Sequence, residues 1–230
     1  MLRQIAPEVF HIPLMPRNSI NSYIIEGILV DAGIRSSYAT VKKAIGKIPV
    51  YQHILTHAHA DHQGCSDQIC AEFGIPLLCH PNEVLRTETG MVTIDYPAPQ
   101  HWIAKLQQKY WAGQGHKVEK TVVENDTIGN FRVIETPGHS AGHISLFREQ
   151  DGVLIIGDAS TNMNLLTTAA GLHLPPNMFT SDQQRNIKSL QKLAELNPSI
   201  ICFGHGPVLH NKDRKFERFV AKCSKATIER

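Results

Sequence analysis

The feature that most constrains this 230-residue chain is a run of metal-binding side chains, H-A-H-A-D-H, over residues 57–62. A β-branched segment, residues 50–56, is predicted to be a strand that ends at this run, and residues 61–73 are predicted to be a helix. Side chains alternate along an extended segment, so the first two histidines point the same way, whereas the aspartate and the third histidine lie past the bend. One short stretch can therefore serve two adjacent metal positions. A polar loop with three chance histidines is the less favoured interpretation.

Three further candidate ligands each stand where a predicted strand ends in a glycine-containing turn. His139 lies in T-P-G-H, Asp158 in G-D and His205 in G-H-G. Glycines allow the tight backbone that directs a side chain from the rigid end of a strand. Each turn alone is ordinary, but together with the first run they provide enough ligands for two ions. The predicted sets are His57, His59 and His139 for one ion, and Asp61, His62 and His205 for the other, with Asp158 able to bridge both.

The order of predicted elements indicates a layered architecture. Hydrophobic periodicity predicts strands, a helix, a strand and a helix, and then the same order again. Such mixed layers suggest two sheets packed together with helices outside. An apolar insertion is expected between Asp158 and a helix predicted over residues 181–196.

The ligand types indicate the chemistry. Imidazole and carboxylate ligands without thiolate suit zinc, and also manganese or iron. Two such ions about 3.5–4 Å apart can hold a bridging hydroxide and polarise a carbonyl or phosphoryl oxygen, so no serine or cysteine nucleophile is needed. The sequence therefore predicts a hydrolase with two zinc ions. Asp61 is the expected catalytic residue, because it both ligates metal and can accept a hydrogen bond from the hydroxide.

Taken in order, H-x-H-x-D-H, P-G-H, G-D and G-H-G resemble the motifs of the metallo-β-lactamase superfamily of hydrolases. The resemblance spans residues 31–205. It implies an α+β fold, a four-layer αββα sandwich with a dinuclear site at one edge, and the same two ligand sets. It also implies that Asp31 supports the metal-binding loop, and that His143 is structural rather than a ligand.

Departures from particular branches of the superfamily narrow the expected substrate. Exported β-lactamases of this fold commonly have cysteine at the position of Asp158, flavodiiron proteins have glutamate at the position of His59, and acyl-homoserine lactonases have a catalytic tyrosine near Thr161. Glyoxalase II has a helical glutathione-binding region after its last histidine, whereas only residues 206–230 follow His205. We therefore expect a small ester, thioester or lactone substrate. The alternatives are a phosphodiesterase using the same metals and a persulfide dioxygenase with a single iron.

Composition bears on partners and location. The 23 basic and 21 acidic side chains give a formal charge of +2, which argues against an obligatory nucleic acid or membrane-surface partner. No apolar run approaches the ~18 residues of a membrane span. The five cysteines form no C-x-x-C pair and are expected to be reduced, mostly buried thiols. We expect a single cytoplasmic domain over residues 1–230 that acts on a small molecule.

Two segments rich in aromatic residues and proline, residues 83–116 and 165–179, are expected to form the substrate pocket. The alternative is that their apolar side chains belong to the core or to a homodimer contact. Several of the histidines outside the motifs are expected to be ordinary surface residues. Five are assigned in this way: His11, His53, His80, His116 and His210.

Overall fold

The first of two large sheets contains seven strands, in the spatial order in which they follow one another along the chain. The computed structural model describes residues 2–228; Met1, Glu229 and Arg230, at the ends of the predicted domain, lie outside the described residues. The first four strands are antiparallel neighbours and the last four are parallel. The strands are β1 (Arg3–Ala6), β2 (Val9–Pro13), β3 (Asn21–Ile25), β4 (Ile28–Val30), β5 (Gln52–Ile54), β6 (Leu77–Cys79) and β7 (Lys120–Thr121).

The second sheet has six strands in the order β15-β14-β11-β10-β9-β8, and β11 and β14 form its one parallel pair among the described residues. Its strands are β8 (Thr127–Ile128), β9 (Phe131–Glu135), β10 (Ile144–Arg148), β11 (Val153–Gly157), β14 (Ile200–Phe203) and β15 (Leu209–His210). A separate hairpin follows Asp158, in the segment expected to be an apolar insertion. It consists of β12 (Thr161–Met163) and β13 (Ala170–His173).

The helices lie mainly in the connections between strands. Those described are α1 (Tyr38–Ile45), α2 (Ala60–Gln63), α3 (Ser66–Phe73), α4 (Val84–Thr89), α5 (Trp102–Tyr110), α6 (Gln183–Glu195) and α7 (Lys215–Ile228). Within residues 2–228, no helix has the length and apolar character needed to cross a membrane.

Alternating side chains on the strands divide the core into three apolar layers. On β11, Val153 and Ile155 pack between the two sheets, whereas Leu154 and Ile156 face the opposite side and pack with residues of α6 and α7. The outer face of the first sheet packs in the same way against α1 and α3. This alternation has the period of two expected for strands buried on both faces. The four layers are therefore helix, sheet, sheet and helix, and the predicted αββα sandwich is confirmed.

The helix predicted over residues 61–73 is two helices with a break at Gly64 and Cys65. The Gly64 amide donates to the Gly33 carbonyl at 2.7 Å, and a Cβ at position 64 would collide with the backbone of Ile34. This close approach turns the chain between α2 and α3. Apolar periodicity does not reveal such a contact, because it depends on a distant segment. The end of α3 at Gly74 agrees with the sequence, since Gly74 adopts a left-handed conformation there.

The assignment of five histidines to the surface is wrong for three of them. His11, His53 and His80 are buried, and each has a hydrogen-bond partner on another segment. His53, for example, contacts the Leu29 carbonyl at 3.0 Å and Ser66 Oγ at 2.8 Å. A buried histidine with both nitrogens satisfied has no local sequence signature. The expectation for the cysteines is confirmed for Cys65, Cys70, Cys79 and Cys202, which are free thiols and buried.

We predict that Gly64→Ala lowers the free energy of unfolding by about 1–3 kcal/mol, the usual cost of overpacking against atoms that cannot move. Gly46→Ala is the matched control. Both glycines have right-handed backbone angles, but the nearest atom to a Cβ at position 46 is 3.6 Å away. We expect Gly46→Ala to be neutral, or to stabilise by about 0.4–1 kcal/mol. Urea unfolding of both variants measures the difference, and equal midpoints would show that the contact at Gly64 is not tight.

Candidate metal centre

The seven residues of the two predicted ligand sets lie together where strands of both sheets end. His57, His59, Asp61 and His62 follow β5 of the first sheet, whereas His139, Asp158 and His205 follow β9, β11 and β14 of the second. Each predicted set therefore draws ligands from both sheets. All except the half-buried Asp61 are buried. Their ligand atoms lie within 4.8 Å of one another in three overlapping groups: His57, His59 and His139; His57, His62 and Asp158; and Asp61, His62 and His205.

Asp31 fixes the orientation of the first run. Its carboxylate accepts hydrogen bonds from the Thr56 amide, from Thr56 Oγ1 and from His62 Nδ1, each at 2.8 Å. Thr56 Oγ1 uses its own proton toward Asp31, so it accepts from His57 Nδ1 at 3.0 Å. Both rings therefore carry their proton on Nδ1 and present the Nε2 lone pair to the interior of the cluster. This is the support for the metal-binding loop that the sequence resemblance implies for Asp31.

The rings of His139 and His205 are held in the same way by groups outside the cluster. Thr180 Oγ1 donates to the Pro176 carbonyl at 3.0 Å and accepts from His139 Nδ1 at 3.2 Å. His205 Nδ1 donates to the Ser19 carbonyl at 2.5 Å. In each ring Nε2 is left facing the other predicted ligands.

Several of the inward-facing atoms have no hydrogen-bond partner among the described residues. These buried atoms are His57 Nε2, His59 Nε2, His62 Nε2 and Asp158 Oδ1. A buried polar atom left unpaired costs about 1–3 kcal/mol. Lone pairs that converge in this way fit a divalent cation, and the imidazole and carboxylate donors suit zinc, manganese or iron. The residues present therefore fit a metal-binding cluster.

Asp158 lies at the centre of the cluster. Its Oδ2 atom is 2.9 Å from His205 Nε2, 3.4 Å from His62 Nε2 and 3.8 Å from His139 Nε2. One carboxylate oxygen thus faces histidines of both predicted sets. Residue 204, which precedes His205, must be glycine, because a Cβ there would collide with Asp158 Oδ1 and with the ring of His62.

The electrostatics divide the cluster into two halves. Burial lowers the pKa of His57 and His59 well below the usual range, and nearby imidazoles lower it further, so both rings are neutral. Burial acts in the same direction on His205, but the carboxylates of Asp158 and Asp61 outweigh it and raise the pKa of His205 to about 10. The half around Asp158 and Asp61 therefore favours positive charge, which a bound cation also provides.

His143 stands behind the cluster with both ring nitrogens engaged. Its Nδ1 donates to Thr136 Oγ1 at 2.7 Å, and its Nε2 accepts from the Asp158 amide at 3.0 Å. Burial lowers the pKa of His143 to about 3, so the ring is neutral, as this pattern requires. The Thr136 amide also donates to the His143 carbonyl at 2.9 Å, which closes the turn that carries His139. This geometry agrees with the expected structural role and adds a direct contact with the Asp158 backbone.

Glu83 is a buried carboxylate that sequence reasoning did not select. Its Oε2 accepts from the Ala58 amide at 2.8 Å, and its Oε1 accepts from Ser140 Oγ and from the Gly142 amide, both at 2.8 Å. Ala58 lies between two predicted ligands, and Ser140 follows a third. Glu83 therefore ties together the two loops that supply the first predicted set. No local pattern marks these contacts, because Ala58, Ser140 and Gly142 are 25 to 59 residues away from Glu83.

The turn over residues 138–142 also matches the G-x-S-x-G pattern of serine hydrolases. In that pattern the serine stands exposed on a sharp turn between a strand and a helix. Here the turn joins β9 to β10, and Ser140 is fully buried with its hydroxyl donated to Glu83. Ser140 is a structural residue rather than a nucleophile.

Arg86 links Glu83 to Asp95 through two ion pairs. Its guanidinium is buried and pairs with Glu83 Oε2 and with Asp95 Oδ2. Asp95 precedes Tyr96, whose ring centroid lies 4.7 Å from that of His59 and 5.5 Å from that of Phe179. The ion pairs therefore place an aromatic wall against one of the predicted ligands.

A cavity of about 480 Å³ opens on the cluster. Its lining includes the predicted ligands His59, Asp61, His139, Asp158 and His205. Both segments expected to form the pocket contribute to the wall, with Tyr96, Ile103, Gln107 and Trp111 from the first, and Leu165, Pro175, Pro176, Met178 and Phe179 from the second. Met15, Ser19, Ile20 and Met163, outside these segments, also line the cavity. The other face of α5 carries Trp102, Leu106 and Tyr110, which are exposed.

A histidine and aspartate cluster between two sheets that are flanked by helices defines a metal-dependent hydrolase of the αββα type. Residues 15–205 match the Metallo-beta-lactamase superfamily, and the chain belongs to this superfamily. The resemblance inferred from the motifs is thereby confirmed.

Three similar proteins illustrate the range of this superfamily. The probable metallo-hydrolase YflN of Bacillus subtilis is 30% identical over 210 residues, which cover 81% of this chain and 77% of that protein. A hydroxyacylglutathione hydrolase of Rhodospirillum rubrum is 29% identical over 66% of this chain and 47% of that protein. The crystal structure of BJP-1, a subclass B3 metallo-beta-lactamase of Bradyrhizobium japonicum, has a TM-score of 0.71 at 20% identity and covers 99% of this chain and 92% of that chain. This last similarity concerns the fold.

We predict that Glu83→Gln weakens the binding of one zinc ion about 10- to 100-fold, the usual effect of losing a residue that orients metal ligands. The amide cannot accept all the hydrogen bonds that the carboxylate accepts, so the two ligand loops lose a common anchor. Glu88→Gln is the matched control, since Glu88 is an exposed residue of α4, the helix that begins directly after Glu83. Zinc titration with a chromophoric chelator measures both variants. Unchanged zinc affinity in a folded Glu83→Gln protein would contradict this role.

We predict that His143→Ala and His139→Ala differ in the number of ions that they bind. His143 has no free ring nitrogen, so its loss leaves both predicted sets complete and should preserve two zinc ions when zinc is in excess. His139→Ala removes a predicted ligand and should leave one site unfilled. Metal analysis after equilibration at several zinc concentrations separates the two variants, and loss of one site in both would make His143 a ligand.

Proposed function

We propose that this superfamily member is a dinuclear hydrolase that holds two zinc ions and cleaves a small ester, thioester or lactone. One ion is assigned to His57, His59 and His139, the other to Asp61, His62 and His205, with Asp158 between them. Manganese and iron suit the same donor types. When bound, the two ions supply Lewis-acid polarisation of a carbonyl group and lower the pKa of a water molecule.

The position of Asp158 carries the proposal. Its Oδ2 atom faces His139 at 3.8 Å and His205 at 2.9 Å, and these residues belong to different predicted sets. A single carboxylate in that position is suited to hold two cations close together. Gly204 and His143 support this arrangement, the first by leaving space beside the carboxylate and the second by binding the Asp158 amide.

Asp61 is the residue proposed to act on the attacking water. It is less buried than the other ligands, lies 3.3 Å from His205 Nε2 through its Oδ2 atom, and lines the cavity. A carboxylate in that position can accept a hydrogen bond from a water molecule and orient it toward a bound carbonyl. Tyr96 and Phe179 cover the same region and limit the access of bulk water.

A small organic substrate fits the shape of the site. The cavity volume of about 480 Å³ lies within the range of about 300–1,000 Å³ that is usual for small-molecule sites. The relative from Rhodospirillum rubrum is named for hydrolysis of a glutathione thioester, which supports a thioester among the candidates. We further propose that the protein acts in the cytoplasm and needs neither nucleic acid nor membrane for its activity.

Metal analysis tests the dinuclear assignment. We expect about two zinc ions per chain, and we expect Asp158→Ala to lose both together because the carboxylate contacts both sets. Loss of one ion with the other at full occupancy would overturn the bridging role. About one iron per chain would favour the persulfide dioxygenase instead, and hydrolysis of bis(p-nitrophenyl) phosphate in preference to esters would favour the phosphodiesterase.

A further inference from the structure

The cavity beside the cluster has a wall of marked apolar character. Ile103 and Trp111 approach it from the α5 side, and Leu165, Met178 and Phe179 from the segment after β12. The histidines and aspartates of the lining are all predicted metal ligands. A molecule in this cavity therefore meets a polar, reactive end and an apolar remainder.

The wall away from the ligands carries no charge. Among the described residues that line the cavity, none is lysine, arginine or glutamate, and both aspartates belong to the metal cluster. The wall also contains the uncharged polar residues Ser19, Tyr96, Gln107 and Thr168. Arg17 contacts Thr168 Oγ1 at 2.6 Å, but its side chain is exposed and outside the lining. A carboxylate or phosphate pushed into this wall would lose its hydration without gaining an ion-pair partner.

We propose that this cavity binds an uncharged, apolar acyl group, so that the preferred substrates are neutral thioesters or esters of medium-chain carboxylic acids. The proposal rests on the hydrolase function proposed above and specifies its substrate class. In the reaction, the oxygen of water bonds to the acyl carbon and the carbon–sulfur bond breaks. One proton goes to the leaving thiolate, so that the products are the carboxylic acid and the free thiol. The acyl chain stays in the apolar wall while the carbonyl group lies at the polar end.

The expected preference for a longer acyl chain follows from the free energy of transferring its methylene groups from water to the apolar wall. Each methylene moved from water into an apolar environment contributes about 0.8 kcal/mol, which is roughly fourfold in an equilibrium constant. A hexanoyl group has several more methylenes than an acetyl group, so we expect at least a tenfold higher kcat/KM for the hexanoyl substrate. A glutaryl group of similar length ends in a carboxylate and should be hydrolysed at least tenfold less efficiently than hexanoyl.

The first experiment compares acetyl, hexanoyl and glutaryl thioesters of 2-mercaptoethanol with zinc-loaded protein of verified metal content. The leaving group is small and constant, so only the acyl group differs, and release of thiol is measured with a disulfide reagent. S-lactoylglutathione is included because its glutathione part carries carboxylates. Equal rates for acetyl and hexanoyl, or a preference for glutaryl or S-lactoylglutathione, would overturn the proposal while leaving the hydrolase function intact.

A second experiment measures binding without turnover, so that a failure of the hydrolase proposal does not leave the cavity untested. The probe is N-phenyl-1-naphthylamine, an uncharged apolar compound that fluoresces in apolar surroundings. Ile103→Lys places a charge in the wall, whereas Leu106→Lys places the same charge on the exposed face of α5. We expect Ile103→Lys to weaken probe binding about tenfold and Leu106→Lys to change it less than twofold.

The two measurements separate the possible failures. Probe binding that depends on Ile103, without hydrolysis of any ester, thioester or lactone, would reject the proposed function and retain the apolar cavity as a binding site for neutral compounds. Probe binding that is unaffected by Ile103→Lys in a variant with unchanged metal content and melting temperature would reject the cavity itself. Where hydrolysis is found, Ile103→Lys should lower kcat/KM for hexanoyl by about tenfold and reduce the preference over glutaryl.

Discussion

The carboxylate of Asp31 is the contact on which the candidate site depends most directly. It stands at the end of β4 in a left-handed backbone conformation, with φ of 57°, which is uncommon for a residue with a side chain. From there it accepts three hydrogen bonds from Thr56 and His62. One side chain thereby links the end of β4 to the loop after β5 and sets the orientation of two imidazole rings. The geometry of the loop is thus determined by an interaction within the first sheet.

The remaining ligands are fixed by similar contacts with their surroundings. Thr180 orients His139, the Ser19 carbonyl orients His205, and His143 holds the backbone of Asp158. In His139 and His205 the Nδ1 atom is bound by a group outside the predicted ligand set, which leaves Nε2 directed into the cluster. In Asp158 the backbone amide is bound in this way, and the carboxylate is directed into the cluster. A site arranged in this way keeps its shape through buried hydrogen bonds, and the rigid ends of strands carry the residues that must be placed most accurately.

The sequence predicts the fold and the proximity of the candidate ligands because both depend on local patterns. Strand periodicity, the histidine run and the glycine-flanked turns are visible within a few residues, and their order along the chain indicates the layered sandwich. Glu83 and the burial of His53 were missed because their partners are not local: Ala58 lies 25 residues from Glu83, and Ser66 lies 13 residues from His53. Arg86 was missed together with Glu83, with which it pairs. The break between α2 and α3 was missed for the same reason, since it depends on the contact of Gly64 with Gly33 and Ile34. Which side chains of residues 83–116 line the cavity also depends on tertiary structure, because Ile103 of α5 faces the cavity whereas Leu106 of the same helix is exposed.

The distribution of the predicted ligands over both sheets has a thermodynamic consequence. The histidines after β5 belong to one sheet and those after β9 and β14 to the other, so a divalent ion held by either set cross-links the two halves of the sandwich. Binding that is confined to the folded state adds a free energy that grows with the logarithm of the free ion concentration, about 2.7 kcal/mol at a hundred times the dissociation constant. The resistance of such a protein to unfolding is then a property of its ionic surroundings as well as of its amino-acid sequence, and chelation acts on the whole sandwich as well as on the site.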